Sequence, residues 1–89
     1  MKITIESTSK IVEVEFLGDR GERHLIEARI WQGETDSGIP VQCFVTRIAP
    51  EIDRSHPRID ELTAEFEREL LETVDPRPSV RAIPLRLMI

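Results

Sequence analysis

The sequence predicts an α+β fold, an antiparallel sheet of four to five strands in the order β-β-β-β-α-β with one helix packed on a face. Three observations carry this expectation. The first half of the chain alternates apolar and polar residues with a period of two. A stripe of apolar residues at spacings of three and four then follows Pro50, and the last ten residues return to alternation. With 89 residues and 10.3 kDa, residues 1–89 make a single domain. A chain this short buries only about 60 to 65% of the surface its unfolded form exposes, which leaves no material for a second core.

Lys2 to Glu6 places Ile3 and Ile5 on one face, and Lys10 to Phe16 places Val12, Val14 and Phe16 on one face opposite Glu13 and Glu15. These read as two strands. The Ser7-Thr8-Ser9 run between them carries hydroxyls that bond their own backbone, so it predicts a tight reversal and a hairpin. Gly18-Asp19-Arg20-Gly21 interrupts the pattern with residues that tolerate positive φ. A third strand follows from His24 to Gln32, with Ile26, Ala28 and Ile30 on one face and Leu25, Glu27, Arg29 and Trp31 on the other. Gly33 to Gly38 reads as a turn. Ile39 to Ile48 reads as a fourth strand, and because it is apolar on both faces for several residues it is expected at the centre of the sheet.

Beyond Ala49-Pro50 the period changes. Ile59, Leu62, Phe66, Leu70 and Val74 form one stripe of a helix. Ser55 is the expected N-cap, Pro57 suits the first turn, and Asp60 and Glu61 complement the positive end of the helix dipole. Asp75-Pro76 is the stop, because proline disfavours helical geometry in the residue before it. After Arg77-Pro78-Ser79, the segment Val80 to Ile89 alternates and reads as a fifth strand, with Pro84 assigning it to an edge. An extended arm packed on another subunit is the alternative for that segment.

Composition excludes several function classes. No stretch approaches the roughly 18 to 20 apolar residues of a spanning helix, and the opening MKITIESTSK alternates instead of forming a signal-peptide core, so a cytoplasmic protein is expected. The single cysteine, Cys43, rules out an internal disulfide. The net charge of −5 argues against general polyanion binding. Charge is uneven, however. Pro50 to Asp75 holds nine acidic residues and three arginines, whereas Pro76 to Ile89 holds Arg77, Arg81 and Arg86 and no acid.

Two stretches carry a resemblance. The run Ala28-Arg29-Ile30-Trp31-Gln32-Gly33-Glu34-Thr35-Asp36-Ser37-Gly38-Ile39-Pro40-Val41, continuing from Cys43 to Ala49, and the opening Met1 to Thr8 resemble small proteins encoded in bacteriophage and prophage regions. Phe66-Glu67-Arg68-Glu69-Leu70 and Ile83-Pro84-Leu85-Arg86-Leu87 extend the likeness, while Gly18 to His24 stands as extra loop. Those proteins have no assigned activity. The resemblance therefore implies a genomic setting and no mechanism.

Candidate chemistry is sparse. Glu51, Asp53, His56 and Asp60 are residue types that ligate divalent ions, but acidic residues before a helix also cap it, and a histidine beside proline is commonly just solvated. No metal or other cofactor is expected. A nucleophilic Cys43 needs a base, and only His24 and His56 are available; mid-strand among Val41, Phe44 and Val45 it reads as a small buried hydrophobe. The chain is thus expected not to be an enzyme.

Interaction surfaces are the better candidates. Glu61, Glu65 and Glu69 recur every four residues as an acidic ridge, which is either a solvated helix face or a contact for a basic partner. Trp31 is either a core residue or an exposed anchor, since aromatic and arginine side chains dominate interface energetics. Arg77, Arg81 and Arg86 invite a nucleic-acid reading, but three charges release few counterions and the adjacent acidic tract repels a polyanion. The apolar terminus from Ile83 to Ile89 must dock, on its own sheet or on a second subunit, and a homodimer is expected. The expected function is that of a small non-catalytic protein-interaction protein of phage or prophage origin. The alternatives are a minor virion or assembly component, a weak nucleic-acid-associated regulator and, last, a metal-dependent enzyme.

Overall fold

A computed structural model of the chain describes residues 1–88. It contains four strands, β1 (Ile3–Leu17), β2 (Arg23–Thr35), β3 (Pro40–Val45) and β4 (Arg86–Met88), and two helices, α1 (Ile59–Leu70) and the four-residue α2 (Pro78–Arg81). The sheet order is β3-β2-β1-β4. The β1–β2 and β2–β3 pairs are antiparallel, and β4 runs parallel to β1. The sheet is thus four-stranded and mostly antiparallel.

The two short strands expected at the start are one strand. Between the pairs Ser7↔Trp31 and Ile11↔Arg29, β1 holds Thr8, Ser9 and Lys10 where β2 holds only Ile30. This is a bulge, not a reversal. The buried Thr8 hydroxyl donates to the Ile30 carbonyl at 2.6 Å and accepts from the Lys10 N–H at 3.2 Å. The hydroxyl chemistry that signalled a turn instead closes the bulge. Two surplus residues preserve side-chain parity, so Ile3, Ile5 and Ile11 share one face while Val12 and Val14 lie on the other.

The turn expected at Gly33 to Gly38 also differs. Gly33 lies within β2, paired with Ile5 and Val41, and the β2–β3 turn falls later, with Gly38 at φ 84° donating to the Thr35 carbonyl. The fourth sequence segment, expected at the centre, is the edge strand β3. The paired interior of the sheet is β1 and β2, which the long β1–β2 hairpin joins through the Gly18–Glu22 loop, with Gly21 at φ 78°.

Val12, Val14, Ala28, Ile30 and Val80 form the buried core, with Ile83 and Leu87 packed against it. Its cover is the C-terminal segment. Val74 donates to the Ser7 carbonyl at 2.8 Å, the chain crosses the sheet, α2 drops Val80 onto the core, and β4 returns to the β1 edge. Val80 to Ile89 is therefore not one strand: a helical turn and a loop precede Arg86–Met88, and Ile89 lies outside the described residues. Pro84 falls just before an edge strand.

Helix α1 buries none of its residues, and the extensive contacts between elements are those of the sheet pairs. Its stripe residues Ile59, Leu62 and Phe66 are half-buried, and its last turn lies beside Trp31 of the sheet. Ser55 is not its cap. The Ser55 N–H and hydroxyl both donate to the Asp53 carboxylate, and the helix starts at Ile59 after Arg58, whose N–H donates to His56 Nδ1 at 3.0 Å.

Candidate interaction surface

The crossing segment is held by Arg77. Its N–H donates to Gln32 Oε1 at 2.9 Å, and its guanidinium donates to the Val41 carbonyl at 2.8 Å and the Gly33 carbonyl at 3.4 Å. A half-buried guanidinium bound to β2 and β3 carbonyls fastens the segment across the sheet. Arg77 thus serves the fold, while Arg81 is exposed and Arg86 pairs with Glu13 at 2.9 Å on the β1 edge.

Cross-strand partners share a face, so Trp31, opposite Ser7 and Cys43, points away from the covered side. It is half-buried. On this open face lie also Ile3, Ile11 and Leu25, which are 40%, 43% and 56% exposed, and Arg29 and Val45. Trp31 forms the wall between two depressions. One, of about 300 Å³, runs from Trp31 past Arg29 and Val45 to Ile48 and Leu70. The other, of about 420 Å³, is bordered by Glu69, Glu72 and Val74. The first shares Arg29 and Val45 with a further depression, which shares Ile11 and Glu27 with one reaching Leu85 and Arg86. Together they make a trough across the open face.

No family model matches the chain, and no curated protein or solved structure is significantly similar to it. The surface itself therefore carries the functional argument. Of the acidic ridge, only Glu69 borders Trp31. Glu61 is paired with Arg58, the residue before α1, at 2.9 Å, and Glu65 with Arg68 within α1. Alternation along β2 marks Trp31, Arg29 and Leu25 as one face, but Ile11, Val45, Ile48 and Leu70 join them only through register and the path of the chain. Periodicity alone does not reveal that.

The chemistry-bearing residues are dispersed. Cys43 is half-buried opposite Trp31, whereas His24 stacks on Phe16 at 5.1 Å between ring centres. Seven residues of strand separate Trp31 from His24, about 23 Å at strand rise. Hydrogen bonds from its own N–H, then from His24, hold the Glu22 carboxyl below the usual carboxylate range. The Ser55 N–H and hydroxyl do the same for Asp53. Asp53 and His56 thus direct acceptor atoms at neighbouring backbone. Among the described residues, no three His, Cys, Asp or Glu side chains gather as a metal site, and no helix is long and apolar enough to cross a membrane.

Proposed function

We propose that this is a small, non-catalytic protein-interaction protein that works through protein contacts in the cytoplasm of a bacterial host, forming a homodimer among those contacts. The observation that carries the reading is the trough on the open face, where apolar side chains and an arginine surround a half-buried tryptophan. Such a composition is typical of anchor regions in protein interfaces. A phage or prophage origin rests on the sequence resemblance alone, and genes for virion components beside it would favour the assembly role.

The test is affinity capture from host cells with the wild-type chain and a Trp31→Ala variant. Specific partners are expected with the wild type and not with the variant. Equal capture by both rejects the open face as the site. In a gel-shift at low salt no retardation of DNA or RNA is expected; a shifted band favours the nucleic-acid alternative.

A further inference from the structure

We propose that the open face is covered by a second copy of this chain, each copy laying the apolar stripe of α1 across the trough of its partner. The inference deepens the interaction reading and names its first partner.

The chain leaves two complementary surfaces unsatisfied. One is the trough of Ile11, Arg29, Trp31 and Val45. The other is α1, whose stripe has Ile59, Leu62 and Phe66 only half-buried and Leu70 41% exposed, with none fully buried. Within one chain the last turn of α1 places Leu70 near Trp31, at one end of the trough. Residues 46–58, which join β3 to α1, hold no helix or strand. Thirteen residues span up to about 43 Å when extended. The linker is long enough to let the N-terminal end of α1 reach a neighbouring molecule, while its C-terminal end stays near Trp31 through the Val74 N–H to Ser7 carbonyl bond.

The exposed area fits this occupant. The chain exposes 7148 Å², whereas a compact chain of 10.3 kDa exposes about 5,350 Å². Its radius of gyration is 16.0 Å, against about 12 Å for a compact domain of this length. The surplus of about 1,800 Å² per chain exceeds the roughly 800 Å² per partner of a standard interface. A two-fold dimer uses the same patch on both copies and so satisfies both troughs and both helices at once. Charge favours a helix over face-to-face stacking. Stacked sheets bring the directly paired Glu13 and Glu27 of one copy against those of the other, while α1 brings five carboxylates and one arginine toward Arg29 and Arg47 at the Trp31 end of the trough; Glu27 at the Ile11 end opposes either arrangement.

The experiment is sedimentation equilibrium on the full chain across concentration, with circular dichroism as the folding check. Wild type is expected at twice the chain mass at micromolar concentrations. Phe66→Glu and Ile11→Lys are each expected to be folded monomers, and an equimolar mixture of the two is expected to dimerise, because one helix and one trough remain intact. If Phe66→Glu does not fold, Leu62→Ala takes its place, with at least tenfold weaker dimerisation expected from losing a buried side chain at two symmetry-related contacts. A wild type that stays monomeric up to about 1 mM overturns the inference, as does a dimer indifferent to the α1 substitution or a mixture that stays monomeric. A monomer that still captures a partner through Trp31 rejects this inference and leaves the interaction reading standing.

Discussion

Gly33 has a packing role that its setting in a glycine-bounded stretch conceals. A Cβ there meets the Thr4 carbonyl oxygen and comes within 2.7 Å of the Ile5 Cα, both backbone atoms of β1. Backbone cannot swing aside, so Gly33→Ala is expected to lower unfolding free energy by about 1–3 kcal/mol in a urea melt; an unchanged midpoint rejects the close approach. Thr8 is the companion case. Thr8→Val keeps shape but removes the bonds to the Ile30 carbonyl and the Lys10 N–H, with a loss of about 1–2 kcal/mol expected in the same assay. Asp53 ties pH to the loop before α1. Its folded pKa is lowered by the Ser55 bonds, so the loop contact is fully present above the ordinary aspartate pKa and is lost as pH falls through the depressed one. Carboxyl-carbon NMR titration is expected to place the Asp53 midpoint below that of a free aspartate, and an ordinary midpoint rejects the turn. At this scale the sequence was legible in chemistry and misleading in use. Hydroxyls at residues 7–9 and glycine at 33 announced local backbone demands, but which demand each meets depends on the strand beside it.

The elements divide into those held by pairing and those held by cover. β1 and β2 are fixed by a long antiparallel register, and their alternation marked both as strand, although the hydroxyl run at residues 7–9 split β1 into two in the sequence reading. β4 has three residues, yet its pairing with β1, the Glu13 N–H to Leu85 carbonyl bond at 2.8 Å and the packing of Leu87 close the core from one side. Truncation after Pro84 opens the β1 edge and uncovers Val12 and Val14. The expected result is insoluble protein or loss of the cooperative melt; a truncate with the full-length melting temperature rejects the closure. Arg77 fastens the same cover midway. Arg77→Ala is expected to cost about 2–4 kcal/mol, because two carbonyl contacts made by a charged donor are lost. The sequence read the helix stripe correctly from Ile59 to Leu70 but carried it on to Val74, which instead bridges to Thr8 of β1 after the helix has ended; periodicity reports that an apolar face exists and not how far the helix runs or which surface covers it. It put β3 at the centre for a related reason. Apolar residues on both faces, here Val41, Cys43 and Val45 against Phe44, mark two-sided burial, and β3 has instead one open edge with Phe44 44% exposed.

At the scale of the whole molecule, the five buried apolar residues among the described ones are a small core for a chain of 89. Ile11, Leu17 and Leu25 stand exposed on the same sheet. Each large aliphatic side chain left in water forgoes about 1.5–3 kcal/mol, so association that covers a few of them is comparable with the whole stability of a domain this size, about 5–15 kcal/mol. In the proposed dimer folding and self-association are coupled, and the melting temperature is expected to rise with protein concentration. Charge opposes the same step. Each copy carries −5, and two such copies repel across a distance that salt shortens from about 30 Å at 0.01 M to 8 Å at 0.15 M. The net repulsion is long-ranged, whereas the proposed apolar contact between α1 and the trough is short-ranged and little affected by screening. Raising sodium chloride from 0.01 to 0.5 M is therefore expected to tighten the dimer and to raise the melting temperature at fixed protein concentration. A dissociation constant that weakens with salt reverses this sign and identifies the arginines of the trough, Arg29 and Arg47, as the dominant attraction for the acidic helix.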